Sequence, residues 1–152
     1  MDTQSLLSLI DTFYAPGFDL RAAIARFGDG SPPEELRPNQ MKLSSGDPEI
    51  AIPWIETLDA VAPETEPFLA GLVLELAEPA AIDFAAIEER FGPSREMPRL
   101  KPDQLRPFQV IVKDLPLEGY VVLDVVKGDE DKAVRGVKRV ILRRFPPPQK
   151  AA

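Results

Sequence analysis

The sequence repeats itself at a spacing of 64 residues. Residues 18–41 align on residues 82–105 without a gap, and unrelated segments of average composition would share only about two identities over this length. Eight of the 24 aligned pairs are identical: Asp19/Asp83, Ala22/Ala86, Arg26/Arg90, Phe27/Phe91, Gly28/Gly92, Leu36/Leu100, Pro38/Pro102 and Gln40/Gln104. The repeat therefore predicts a fold that contains two copies of one structural unit.

Each copy begins with the pattern of a short helix. Asp19 and Asp83 occupy the N-cap position, where a carboxylate accepts hydrogen bonds from free backbone N–H groups. Apolar residues follow at helical spacing, and an arginine lies in the last turn, where it favours the helix dipole. Gly28 and Gly92 come next, and the pattern predicts that both adopt a positive φ at the C′ position.

Three strands are predicted to follow each helix. In the second copy they cover residues 108–112, Tyr120 to Val126 and Val137 to Phe145, where apolar and polar residues alternate. The first copy has weaker equivalents near residues 41–44, 49–55 and 69–77. In both copies the last strand is predicted to end at a proline, Pro79 or Pro146. An additional amphipathic helix is predicted over residues 4–14.

These elements predict an α+β fold, a tandem duplication of a helix-plus-three-strand antiparallel unit with the helices on one face, plus an N-terminal helix. The first unit, with this helix, would cover residues 1–79, the second unit residues 80–146, and a flexible tail residues 147–152. A unit of some 64 residues alone buries little apolar surface. We therefore expect the two units to share one core in a single pseudo-symmetric domain.

The helix end and the last strand of the second unit resemble a motif of known families. Residues Ile87 to Pro93 followed by the strand Val137 to Phe145 resemble the small α/β units of BamE-type and β-lactamase-inhibitor-type proteins, and the latter also occur as tandem copies. This resemblance covers under a fifth of the chain and implies a fold unit only. The cysteines of the inhibitor family are absent from this sequence, and a secretion signal, which those secreted families carry, is not expected here.

The composition excludes several classes of site. The chain of 152 residues contains no Cys and no His, which removes disulfides, Cys- and His-based metal sites and the usual nucleophile–base pairs. No cofactor motif is present, so no cofactor is expected. No apolar run reaches the roughly 18–20 residues that span a bilayer. We expect a cytoplasmic protein without a membrane partner.

Charge is distributed unevenly along the chain. Residues 1–90 contain 17 acidic and 5 basic side chains, whereas residues 91–152 contain 8 and 13, for a net charge of −7. The favoured interpretation is that the two parts pack together and partly neutralise each other. The alternative is a basic patch for an anionic partner. Because the sequence pI is about 4.7, nucleic acid is disfavoured as that partner.

Four residues are candidates for protein binding: Trp54, Tyr120, Arg139 and Arg143. Core packing is the favoured role for Trp54 and Tyr120, with exposed binding anchors as the alternative. The basic residues of the last strand are interpreted first as protection of a sheet edge. Contact with an acidic partner, or internal pairing with the acidic first half, is the alternative.

Residues 129–131 form an acidic run, Asp-Glu-Asp. Oxygen ligands of this kind suit a hard cation such as Ca²⁺, but the spacing of a known calcium loop is absent. The favoured interpretation is a solvated tip between two strands.

The leading hypothesis for function is a non-catalytic protein-binding module, such as an inhibitor, an immunity-type protein or an adaptor, that acts through its sheet and loops. Another protein is the expected partner, and the acidic first half favours a basic one. Two alternatives stay open: an enzyme that uses carboxylates, and a structural subunit of a larger assembly. The sequence leaves the oligomeric state and the identity of the partner undecided.

Overall fold

A computed structural model describes residues 1–59, 66–99 and 104–147 of the chain. Its elements in chain order are α1 (Thr3–Phe13), α2 (Leu20–Phe27), β1 (Glu34–Arg37), β2 (Gln40–Lys42), β3 (Ile50–Leu58), β4 (Phe68–Asp83), α3 (Phe84–Phe91), β5 (Arg95–Glu96), β6 (Leu105–Val112), β7 (Gly119–Val126) and β8 (Val134–Arg144). Within these ranges, the helices are all too short to cross a membrane.

The strands form a single antiparallel sheet in the order β1-β2-β3-β4-β8-β7-β6-β5. The two longest strands, β4 and β8, pair at its centre, and each half of the sequence adds its own strands outward from there. The α+β class is therefore confirmed, and all six predicted strands are present. The short edge strands β1 and β5 were not predicted, because four and two residues are too few for a periodic pattern.

The three helices of the described residues contribute side chains to one core and pack on the same face of the sheet. Alternate residues of the central strands, such as Leu72, Leu74, Val140 and Leu142, are buried there. They share one core with apolar residues of the helices, which include Leu6, Leu9, Ile10, Phe13, Ala23, Phe27, Phe84 and Ile87. Full burial of one such leucine or isoleucine side chain contributes about 1.5–3 kcal/mol. This layer is what holds the helices against the sheet.

Helices α2 and α3 each contain eight residues and begin at equivalent positions of the repeat. The Asp19 carboxylate accepts a hydrogen bond from the Ala22 N–H at 2.9 Å, and the Asp83 carboxylate accepts one from Ala85 at 3.0 Å. Both predicted N-caps are thus present. The predicted C′ conformation is right for Gly92, which has a φ of 100°.

The same prediction is wrong for Gly28, whose φ is −88°. The chain leaves α2 in an extended conformation because Gly28 forms an isolated antiparallel bridge with Ser45. A side chain is still excluded at this position. A Cβ atom there would lie 2.8 Å from the Ile24 carbonyl oxygen.

Three further expectations change or fall outside the described residues. The strand that was predicted to end at Pro79 continues to Asp83, because a register shift between Glu75 and Ala80 lets β4 accommodate the proline. The predicted unit boundary between residues 79 and 80 falls within this strand. Residues 148–152 of the predicted tail, residues 60–65 and residues 100–103 lie outside the described ranges.

Candidate functional site on the open face of the sheet

The face of the sheet opposite the helices carries a row of apolar side chains on four adjacent strands. Trp54 of β3 pairs in register with Val73 of β4, which pairs with Ile141 of β8, which pairs with Val122 of β7. All four side chains are partly exposed, in contrast to the buried residues that alternate with them. We call this side of the sheet the open face.

A second row crosses the same strands beside the first. Glu56 is opposite Gly71, Gly71 is opposite Arg143, and Arg143 is opposite Tyr120. Because Gly71 has no side chain, the Glu56 carboxylate extends over it and accepts a hydrogen bond from Arg143 Nη2 at 2.9 Å. A Cβ atom on Gly71 would come within 3.1 Å of the Glu56 Cβ. The glycine therefore makes an ion pair between non-adjacent strands possible.

A third row, on the other side of the apolar one, contains a chain of polar contacts. The Trp54 indole N–H points to the Glu75 carboxylate at 3.4 Å. Arg139 Nε lies 3.7 Å from the same carboxylate, and Arg139 Nη1 lies 3.3 Å from Asp124 of β7. The Lys42 ammonium lies 5.8 Å from the centre of the Trp54 ring. Both edges of the apolar row are therefore lined with paired charges.

The hairpin formed by β1 and β2 leans over the open face. Leu36 and Arg37 of β1 line a groove of about 420 Å³ together with Trp54, Val73, Glu75, Arg139 and Ile141. A second groove of about 530 Å³ runs beside it past Tyr120, Arg143 and the exposed Phe145. Residues of β1 and β8 thus line one groove, although three strands lie between β1 and β8 in the sheet.

Two buried polar residues support the second groove from the helix side. The Tyr14 hydroxyl, at the end of α1, lies 2.7 Å from the Tyr120 carbonyl oxygen and 3.0 Å from that of Arg143. Arg144 is 4% exposed and donates hydrogen bonds to the carbonyl oxygens of Leu69, Phe13 and Ala15. Burial lowers the pKa of the Arg144 guanidinium to about 10.

The four candidate residues from the sequence, Trp54, Tyr120, Arg139 and Arg143, all lie on the open face. Trp54 and Tyr120 are partly exposed there and are not members of the core, so the favoured core role does not describe them. The edge-protection interpretation is wrong for Arg139 and Arg143, because β8 is a central strand with neighbours on both sides. Their role in binding remains a prediction.

The basic residues of β8 instead form ion pairs with the acidic first half of the chain. Arg143 pairs with Glu56, and Arg139 with Glu75. The favoured interpretation of the uneven charge, mutual neutralisation of the two parts, agrees with these contacts.

The acidic run at residues 129–131 is part of the turn between β7 and β8. The Asp129 carboxylate accepts hydrogen bonds from the Lys132 ammonium at 2.8 Å and from the Gly136 N–H at 3.0 Å, and these contacts lower its pKa. Glu130 pairs with Arg106 at 2.8 Å. Over residues 1–59, 66–99 and 104–147, no group of three acidic side chains is arranged to hold a metal ion.

Sequence reasoning missed the β1–β2 hairpin as a wall of the groove. The one local signal is the turn Pro38-Asn39, where Asn39 adopts a φ of 66°, which asparagine tolerates better than most residues. Comparisons of the chain with protein-family models, with curated proteins and with solved structures found no match. The interpretation of the open face therefore depends on its geometry.

Proposed function

We propose that the chain is a non-catalytic protein-binding module whose contact surface is the open face of the sheet. The single observation that carries this proposal is the in-register apolar row Trp54–Val73–Ile141–Val122, over which none of the three helices packs. Sheets that bury both faces have apolar residues on both, whereas a face that stays in water is normally polar. An apolar row at the centre of such a face is typical of a contact surface.

The composition of the surroundings supports the same proposal. Tryptophan, tyrosine and arginine are the residues most enriched at energetic hot spots of interfaces, and the open face contains Trp54, Tyr120, Arg139 and Arg143. The glutamates that pair with the two arginines hold their side chains in place before a partner arrives. Such preorganisation reduces the entropy lost on association.

Site-specific photo-crosslinking in the native host tests this proposal. A photoreactive phenylalanine derivative replaces Tyr120 on the open face in one protein and the exposed Glu89 of α3 in a matched control. We expect a discrete protein adduct from position 120 and none from position 89. Adducts from position 89 alone, or from neither position, would contradict the proposal.

The alternative of a carboxylate enzyme receives less support. The carboxylates that line the two grooves are Glu56 and Glu75, and each lies beside an arginine. Each groove is therefore lined by one carboxylate that is already in an ion pair, whereas hydrolysis by paired carboxylates needs two of them on either side of the scissile bond. A structural subunit of a larger assembly predicts stable oligomers of the purified chain, which light scattering detects.

We further propose that the two halves of the chain arose by tandem duplication. A shift of 64 residues places α2 on α3 and relates their N-caps Asp19 and Asp83. In both helices the last-turn arginine lies over the ring of the next residue, 5.5 Å away for Arg26 and 5.1 Å for Arg90. The sheet order is also symmetric about its centre. Divergent relatives with higher identity between the halves would support this origin, and relatives without any such identity would oppose it.

A further inference from the structure

The charge of the two grooves is opposite to that of the chain as a whole. Three arginines of the open face line them, Arg37, Arg139 and Arg143, against two glutamates, Glu56 and Glu75. The whole chain has a net charge of −7. The open face is thus a locally basic strip on an acidic protein.

From this distribution we infer that the ligand of the grooves is an acidic, extended peptide segment of another protein, with an apolar or aromatic side chain that packs on Trp54. The inference rests on the proposed function and adds the chemistry of the partner. It differs from the expectation of a basic partner, because that expectation came from the charge of the first half and the grooves have a different composition.

Arg37 is the residue that this inference places at the entrance. It is exposed and forms no ion pair with another residue of the described ranges. It also lines both grooves, so an acidic side chain in either one can reach it. A carboxylate binds the planar guanidinium in a bidentate geometry. Arg139 and Arg143 already form ion pairs with Glu75 and Glu56. They contribute mainly to the electrostatic potential of the basic strip.

The shape of the site favours an extended segment over a folded surface. The β1–β2 hairpin forms one wall, and the two grooves together form a trough along the open face past Trp54 and Tyr120. A single extended strand or loop can enter such a trough. The flat surface of a folded domain would meet the raised hairpin before it reached the floor of the trough. Peptides bound in this way are recognised through pockets for individual side chains.

Arginines beside aromatic rings are also typical of sites for single-stranded nucleic acid. Here the observations favour a peptide for two reasons. Glu56 and Glu75 lie inside the grooves, and a phosphate backbone that tracked the arginines would pass both carboxylates. The net charge of −7 also repels a long polyanion more strongly than a short acidic segment, and the nonspecific attraction that nucleic-acid binders need comes from a positive surface.

A selection with a random linear-peptide library displayed on phage tests the inference on the full chain. The selected peptides are then measured by fluorescence anisotropy against the wild type and the variants Arg37→Glu, Trp54→Ala and Arg21→Glu. Arg21, on α2, is also exposed and undergoes the same charge change, so it is the matched control. Circular dichroism confirms that each variant is folded, and an oligo-dT strand is measured in parallel.

We expect enrichment of Asp and Glu in the selected peptides and weaker binding at higher salt. The dissociation constant should rise about tenfold or more in Arg37→Glu and in Trp54→Ala, and less than about twofold in Arg21→Glu. Enrichment of basic or uncharged peptides that still require Trp54 would overturn the acidic chemistry and leave the proposed function standing. Peptides that bind independently of both Trp54 and Arg37 would count against both proposals. Failure to enrich any peptide, or tighter binding of oligo-dT, would overturn the inference.

Discussion

The hydroxyl group of Tyr14 provides a quantitative test of how the helix layer supports the open face. Tyr14 is fully buried, and its hydroxyl lies within hydrogen-bond distance of two carbonyl oxygens on β7 and β8. The substitution Tyr14→Phe removes this donor and leaves the ring in place. The variant loses a buried hydrogen bond and leaves the carbonyl oxygens of Tyr120 and Arg143 without this donor. We expect the free energy of unfolding to fall by about 1–2 kcal/mol at pH 8.

The same substitution should have a different effect at alkaline pH. Burial raises the pKa of the Tyr14 hydroxyl far above its ordinary value of 10.0. The stabilisation is therefore fully present below pH 10 and is lost above it, because the unfolded chain releases this proton and the folded chain retains it. Through this group alone, the free energy of unfolding of the wild type should fall by about 0.4 kcal/mol at pH 10 and about 1.4 kcal/mol at pH 11.

Tyr14→Phe has no hydroxyl group to titrate at this position. The difference in free energy of unfolding between the wild type and the variant should therefore decrease by the same amounts. Near pH 11 the variant should be about as stable as the wild type. Urea unfolding followed by Trp54 fluorescence at pH 8, 10 and 11 measures the difference, and groups present in both proteins cancel from it. Tyr120→Phe, on the open face, is the matched control and should cost less than about 0.5 kcal/mol at pH 8. A difference for Tyr14→Phe that is the same at pH 8 and pH 11 would refute the reasoning.

Three other outcomes follow from the contacts. Gly119→Ala should unfold the chain or cost more than about 3 kcal/mol in thermal denaturation, because its Cβ would lie 1.9 Å from the Arg143 carbonyl oxygen. Gly17→Ala is the control, because the new Cβ would have open space around it, and it should change the free energy of unfolding by less than about 0.5 kcal/mol. Equal destabilisation by the Gly119 and Gly17 substitutions would be inconsistent with the close contact at Gly119. Asp129→Asn should lower the free energy of unfolding at pH 7 but much less at pH 2. A carboxylate whose pKa is lowered in the folded chain stabilises the fold above its ordinary pKa and loses this effect as the pH falls. A loss of stability in urea titrations that is the same at both pH values would argue against this role. Asp19→Ala should cost about 1 kcal/mol through loss of the N-cap, and no change in melting temperature would exclude that role.

Local patterns predicted the positions of most elements. The N-cap aspartates, the helical spacing of apolar residues and the alternation in 120–126 each involve neighbours within a few residues. Such patterns therefore indicate α2, α3 and β7 without knowledge of the rest of the fold. Gly28 shows the limit of this reasoning. Its position in the repeat matches Gly92, but its conformation is set by a bridge to Ser45 that no local pattern encodes.

The candidate site was predictable as residue types but not as a surface. The sequence singles out Trp54, Tyr120, Arg139 and Arg143 as unusual, yet it favours the core for the aromatic residues and a sheet edge for the arginines. Both expectations fail for one reason. Each of these residues lies on a strand with mixed faces, and which face the helices cover depends on partner strands distant in the chain.

The amino-acid sequence by itself therefore predicts where most of the helices and strands lie, and it shows which residues are apolar and that two segments 64 residues apart resemble each other. The tertiary structure alone decides that β8 lies beside β4 at the centre of the sheet. That pairing brings Arg143 opposite Glu56 across Gly71 and Arg139 opposite Glu75, so charges from distant parts of the chain become neighbours. Long-range strand register has no local sequence signature, because it depends on the simultaneous burial of side chains from every strand.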